Sequence, residues 1–357
     1  MRKDEFMGNL GLIVLENCMP LGKKVNQIIN QMRGTDNNYI IPISNSRFSN
    51  GEGKIIIDET VRDKDLYILS DVENYSITYD LHGFSHNMAP DEHFQDIKRI
   101  ISACSGHAAK ITVIMPMLYQ ARQHKRRGRE SLDCAIALQE LKSLGVSNII
   151  TFDAHDPNIA NAVPTMAFEN IYPTNTILND FIKNEENSLN DIIVISPDMG
   201  ATERARYYAE IIKCDVGVFY KRRDLSKVIN GKNPIVEHVY MGNDVKDKTA
   251  IVVDDMIASG QSMLDVATEL KKRGAKKVFF IATFSIFTNG IAKFEEAYNN
   301  GIFDKLYSTN LSYVPDNIKS SNWFREVDCS NQLAQIIHTL NAGNSITQLL
   351  NCKSFNF

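Results

Sequence analysis

Short apolar runs rich in Ile and Val recur along the chain and alternate with stretches of helical spacing. In the first half they are GLIVLE (11–16), KDLYILSD (64–71), KITVIMP (110–116) and SNIITFD (147–153). The second half has DIIVISPD (191–198), DVGVFY (215–220), TAIVVDD (249–255) and KVFFIATF (277–284). A strand that is apolar at consecutive positions, rather than alternate ones, is buried on both faces. Such strands separated by helices predict an α/β protein, a parallel sheet covered by helices on each side.

The spacing predicts helices between them. SLDCAIALQELKSLG (131–145) brings Leu132, Ala135, Ile136, Leu138 and Leu141 near one face, with Gly145 as its stop. SMLDVATELKKRG (262–274) is expected to start at Ser262 with Asp265 as a capping pattern. It ends on Lys271, Lys272 and Arg273, which suit the negative end of the helix dipole. The rhythm is the same in both halves: strand, acid-containing turn, polar stretch, helix. VPTMAFENIYPTN (163–175) breaks it with Pro164 and Pro173, so two domains are expected, 1–165 and 166–357. IKNEENSLND (182–191) reads as a polar surface loop. SNQLAQIIHTLNAGNSITQLLN (330–351) reads as a helix, a break at Gly343 and a short second helix, with the last helix placed back against the first domain.

Composition narrows the class. The 357 residues are 43% hydrophobic and 23% charged, with formal net charge −4, which is ordinary for a globular chain. The mild acidic balance argues against a nucleic-acid binder but leaves local basic clusters available for phosphates. Cys18, Cys104, Cys134, Cys214, Cys329 and Cys352 are scattered, with no zinc-type spacing, so reduced thiols and a cytoplasmic protein are expected. MRKDEFMGNLGLIVLENCMP has acids ahead of a short apolar run and does not read as a secretion signal. No apolar run approaches the length of a membrane span.

The chemistry gathers where strands end, the side of a parallel α/β sheet on which ligands bind. IVVDDMIASGQSMLD (251–265) places Asp254 and Asp255 at a strand exit, followed by Ala258, Ser259, Gly260, Gln261 and Ser262 before a helix. Free N–H groups and hydroxyls there suit a phosphate, and paired carboxylates suit two vicinal hydroxyls. Alone, the stretch reads equally as a polar turn and a capped helix. ISPDMGATERARYYAEII (195–212) adds Asp198, with Arg204 a turn into the next helix. TFDAHDPN (151–158) sets His155 between two acids. Basic runs follow two further strands: YQARQHKRRGRES (119–131), with Arg122 and Gln123, and YKRRD (220–224), with Lys221 and Arg223. A basic run is usually a solvated face, but next to strand-end acids these suit polyphosphate neutralisation. Phe48, Asn50 and Glu52 in SNSRFSNGEGKI (44–55) form a turn that could hold a purine.

Taken in order, RFSNGE, VRDKDLYIL, YQARQHKRRGRE, ITFDAHD, VISPDMG, KRRD, VKDKTAIVVDDMIASG and GAKKVFFIATFSIF resemble the ribose-phosphate pyrophosphokinase family over nearly the whole chain. The resemblance implies two type I phosphoribosyltransferase-like domains, each a mainly parallel sheet flanked by helices, with the first on the ATP side. It implies synthesis of 5-phosphoribosyl 1-diphosphate from ATP and ribose 5-phosphate with Mg2+; a catalytically weak regulatory subunit of the same family is the alternative. Asp254 and Asp255 would bind the ribose hydroxyls and Ala258–Ser262 the 5-phosphate. His155 and Asp198 would ligate magnesium, and Lys221 and Arg223 would be catalytic. Arg122 and Gln123, with Phe48, Asn50 and Glu52, would contact ATP, the last three across a subunit interface. A homo-oligomer assembled from dimers into hexamers is also implied. Departures from the family pattern fall at Ala258, Ser259 and Gln261, at Met199 and Ala201, at His124, and over 156–164. The stretch 79–96 is unusual and receives no role.

Overall fold

A computed structural model describes residues 9–185, 191–223 and 235–350. They form two compact units, the first made of 9–173, 310–313 and 328–350, the second of 174–309 and 314–327.

The first unit opens with β1 (Asn9–Val14) and α1 (Met19–Arg33), then a hairpin of β2 (Ile43–Arg47) and β3 (Gly53–Ile57). After β4 (Lys64–Leu69) comes a second hairpin, β5 (Thr78–Leu81) and β6 (Phe84–Asn87). Then follow α2 (Pro90–Cys104), β7 (Lys110–Ile114), α3 (Asp133–Ser143), β8 (Asn148–Phe152) and β9 (Ala167–Ile171). The sheet runs β1-β4-β7-β8-β9, parallel throughout. Ile68 and Val113 pack with Phe94, Ile97 and Ile101 of α2 and with Leu138 and Leu141 of α3. Ile136, placed on the buried face by its spacing, is 50% exposed. The buried face of α3 is made by Cys134, Ala135, Ala137, Leu138 and Leu141, which turns Ile136 outward.

The second unit contains α4 (Thr174–Asn184), β10 (Ile192–Ser196), α5 (Thr202–Ile212), β11 (Asp215–Arg223), β12 (Ile235–Met241) and β13 (Thr249–Ile257). It continues with α6 (Gln261–Lys272), β14 (Lys277–Ser285), α7 (Ala292–Asn299), β15 (Lys305–Thr309), α8 (Asp316–Lys319) and β16 (Phe324–Val327). Its seven-stranded sheet has the order β12-β11-β10-β13-β14-β15-β16, and only the β11–β12 pair is antiparallel. The continuous apolar run of β13 is explained by two cores. Ala250 and Val252 pack on one side with Val266 and Leu270 of α6, while Ile251 and Val253 pack on the other with Phe181 of α4 and Tyr208 of α5. Alternate side chains point to opposite faces, so both must be apolar.

The chain then returns to the first unit with α9 (Ser330–Asn341) and the short α10 (Thr347–Leu350), separated by Gly343. Arg33 Nη2 donates to Asn341 Oδ1 at 2.8 Å, and Asn341 Nδ2 donates to Asp65 at 2.8 Å. Lys24 pairs with Asp328 at 2.7 Å just ahead of α9.

The eight strands expected from apolar runs are all present. The two hairpins, β9, β12, β15 and β16 are additional. Of IKNEENSLND, 182–184 belong to α4, and 186–190 lie outside the described residues. Among the described residues no helix is long and apolar enough to cross a membrane.

Candidate functional site

In the second unit, β10 and β13 are parallel neighbours, so their ends present Asp198, Asp254 and Asp255 at one edge of the sheet. Asp255 is 2% exposed, and the Asp254 side chain keeps 23% exposure. The Asp255 amide donates to Asp254 Oδ1 at 2.9 Å. Arg204, in the first turn of α5, brings Nη1 to 3.7 Å from Asp254 and 3.9 Å from Asp255. Burial, then the charge of Asp255, raises the Asp254 carboxyl well above its ordinary range; Arg204 opposes this, and Asp198 adds to it. Asp198 Oδ1 accepts the Gly200 amide at 2.8 Å and the Ala201 amide at 3.3 Å, so one oxygen shapes its own turn.

The loop behind the aspartates turns at Gly260, with φ 70°. A Cβ there would meet the Phe294 ring at 2.1 Å, so both backbone angle and space require glycine. The helix begins at Gln261, one residue before the expected Ser262, and Gly260 occupies the cap position. Asp265 does not cap it: Gln261 Nε2 donates to Asp265 Oδ1 at 2.7 Å. The other end of that amide, Gln261 Oε1, accepts from Lys293 Nζ of α7 at 2.7 Å. Ser259 and Gln261 are exposed, while Ala258 and Ser262 are half-buried. No pattern in the sequence singles out Lys293; α7 carries it to the loop.

Lys221 and Arg223 close β11, which runs beyond the last residue of β10 that it pairs with. Their side chains, and residues 224–234, lie outside what is described.

In the first unit, the neighbouring strands β7 and β8 bring two loops together. Arg122 and Gln123 are exposed in a short turn after β7. His155 is exposed after β8, and its ring lies 5.3 Å from that of His124, centroid to centroid. His124 Nε2 lies 3.3 Å from Asp156 Oδ2 without the alignment of a hydrogen bond. Burial acts to raise the Asp156 carboxyl, but hydrogen bonds from Asn158 and the charges of His124 and Lys125 leave it below the usual range. Glu73, beyond β4, is raised by burial, with Arg122 opposing.

Phe48, Asn50 and Glu52 occupy the β2–β3 turn. Phe48 is 54% exposed, Asn50 Nδ2 donates to Glu52 Oε2 at 3.1 Å, and the Phe48 amide donates to Glu52 O at 2.8 Å. Their hydrogen bonds stay within the turn, which is therefore not tied to the Arg122–His155 group. The candidate residues whose side chains are described thus fall into three clusters: the aspartate edge with its loop, the two strand-end loops, and the turn.

Comparison with known proteins matches residues 10–145 to the N-terminal domain of ribose phosphate pyrophosphokinase and residues 168–299 to the phosphoribosyl transferase domain. The chain is 28% identical over 305 residues to ribose-phosphate pyrophosphokinase 2 of Schizosaccharomyces pombe, covering 85% of this chain and 87% of that one. It is 28% identical over 311 residues to the ribose-phosphate pyrophosphokinase of Vibrio cholerae, covering 86% and 90%. The solved phosphoribosylpyrophosphate synthetase of Mycobacterium smegmatis shares its fold, with a TM-score of 0.76, 22% identity and coverage of 94% of this chain and 100% of that one.

Proposed function

Because the chain belongs to the ribose-phosphate pyrophosphokinase family, we propose that it makes 5-phosphoribosyl 1-diphosphate by passing the β,γ-diphosphoryl group of ATP to ribose 5-phosphate. The anomeric hydroxyl attacks the β-phosphorus, the bond to the α-phosphate oxygen breaks, and AMP leaves. Such a transfer asks the protein chiefly to align the two oxygens and offset developing charge.

The observation that carries the reading is the aspartate edge. Asp254 and Asp255 stand side by side at the end of β13, near Arg204 and beside the loop that leads into the start of α6. Vicinal ribose hydroxyls would donate to the two carboxylates and lower their mutual repulsion. The 5-phosphate would take the amides and hydroxyls of Ala258, Ser259, Gly260, Gln261 and Ser262. Lys221 and Arg223 would neutralise the migrating diphosphate. Arg122 and Gln123 would meet the ATP phosphate side, and Phe48, Asn50 and Glu52 its adenine, supplied by a second copy in a homo-oligomer assembled from dimers. The scattered cysteines support a cytoplasmic reaction.

The donors present fit magnesium. Among the described residues no three His, Cys, Asp or Glu side chains converge on one point. A magnesium ion that keeps water and phosphate oxygens needs only one or two protein donors; the exposed His155 of the first unit and the half-buried Asp198 of the second would each offer one. When bound, the ion would neutralise phosphate charge. The test is AMP formation by the purified chain given ribose 5-phosphate and Mg-ATP. AMP matched by phosphoribosyl diphosphate is expected; none above background from folded protein overturns the reading and favours a regulatory subunit.

A further inference from the structure

The stretch 79–96, which received no role from sequence, folds as the β5–β6 hairpin and the start of α2 and lies against the turn bearing Phe48, Asn50 and Glu52. The contacts are of three kinds. The His82 amide donates to Ser49 O at 2.8 Å, tip to tip. Gly51, at φ 91°, faces the hairpin so closely that a methyl on it would sit 3.1 Å from Leu81 Cδ1 and 3.5 Å from the Tyr79 hydroxyl. The guanidinium of Arg47, one residue before Phe48, sits over the Tyr79 ring, 5.5 Å from its centroid.

Both partners of that last contact are held from behind by α2. The Tyr79 hydroxyl donates to Glu92, and Glu92 also accepts the Ala89 amide at 2.8 Å and lies 3.1 Å from His86 Nε2. Arg47 donates to Asp96 at 2.6 Å; Asp96 is fully buried and also accepts from Arg99 at 2.7 Å. A cavity of about 370 Å³, lined in part by Asn45, Arg47, Thr78, Tyr79 and Met88, lies between the hairpins. They are therefore not joined by a continuous core. The coupling rests on the tip bond, the Gly51 approach and the Arg47–Tyr79 contact. Hydrogen bonds inside the turn set its shape, and Asn45 and Arg47 anchor the strand behind it to Asp96 of α2; at the tip, these three contacts with the β5–β6 hairpin add the constraint on its direction.

We propose that the β5–β6 hairpin is a positioning device for the purine: it aims the Phe48–Glu52 turn, with Tyr79 as the central positioning residue. The proposal rests on the assignment of that turn to the adenine. The experiment is steady-state kinetics of the full chain with four variants: Phe48→Ala, Tyr79→Ala, Tyr79→Phe and Leu81→Ala. Phe48→Ala tests the premise and is expected to raise the KM for ATP. Tyr79→Ala is expected to raise it about threefold to tenfold, the scale of one lost cation–π contact plus some misalignment, with kcat and the KM for ribose 5-phosphate within about twofold. Discrimination between ATP and GTP should fall with it, a change that mere loosening of the fold would not produce. Tyr79→Phe, which keeps the ring under Arg47, should recover most of the difference. Leu81→Ala, at a half-buried surface position, should act in the same direction and guards against misfolding of the Tyr79 variant. An effect of Phe48→Ala with none from Tyr79→Ala and Leu81→Ala overturns the positioning role alone. No effect of Phe48→Ala in an active enzyme overturns the adenine assignment and the proposal with it.

Discussion

Asp71, just past β4 in the first unit, and Asp254, in β13 of the second, are both strand-end carboxyls whose affinity for a proton is raised first of all by burial. Their surroundings differ. Asp71 accepts the Tyr313 amide at 2.7 Å, the Glu73 amide at 3.1 Å and the Ser312 hydroxyl at 3.0 Å. Asp254 faces Asp255 and Asp198, with Arg204 no closer than 3.7 Å to it. The chain satisfies the first carboxyl and crowds the second. A raised carboxyl is thus not in itself the mark of a ligand site; the identity of its neighbours is. Asp71 fastens residues 312 and 313 to the strand end, while Asp254 sits among like charges that Arg204 offsets only in part.

Substitution at each position should split activity from stability in opposite ways. Asp254→Asn is expected to lower AMP formation by about 100-fold or more, the cost of losing a preorganised electrostatic contact. Its unfolding midpoint should stay level or rise, because one of two crowded charges is gone. A midpoint that dropped with activity would make Asp254 as structural as Asp71 and erase the contrast.

Asp71→Ala should do the reverse, costing about 1–3 kcal/mol of stability in urea unfolding as the Tyr313 amide and Ser312 hydroxyl lose their acceptor. Turnover at saturating substrate should remain within about twofold. The pH profile adds detail. Burial pushes the Asp71 carboxyl up to about 7 from an ordinary 3.8. Between those values the folded chain keeps a proton that the unfolded chain has released, so the contribution of Asp71 to stability falls as pH rises and levels off above about 7. Comparing wild type with Asp71→Asn across that window should show the slope in the former and its loss in the latter.

The smallest effect is expected within the site. Gln261→Gly frees Lys293 and Asp265 from an exposed amide, and the KM for ribose 5-phosphate should change by less than about threefold, the scale of one net hydrogen bond. A larger change would show that the departure at Gln261 shapes phosphate binding, and would enlarge the contrast with the fully satisfied Asp71.

What the sequence made legible follows from the same physics. The eight strands with apolar runs announce themselves because burial on two faces demands consecutive Ile and Val, as at Ile251, Val252 and Val253. β5 and β6 do not: Thr78, Ser85 and Asn87 are exposed, and a hairpin with little buried area needs no apolar run. Asp254, Asp255 and Gly260 were legible as candidates because local spacing places them. The company kept by Asp71 was not, because Ser312 and Tyr313 are more than two hundred positions away. The cap at Ser262 failed for a local reason: Gly260 already turns the chain against Phe294, so the helix starts one residue early.

The return of α9 bears on the order in which the protein is completed. Leu333, Ile336 and Ile337 of that helix are buried in the first unit, and its end is bonded to Arg33 and Asp65. On a ribosome, α9 emerges only after every described residue of the second unit has been made. The nascent first unit therefore has to keep an apolar face uncovered while about half of the chain is still being added, a period of tens of seconds at ordinary elongation rates. The part of the protein synthesised first is the part finished last.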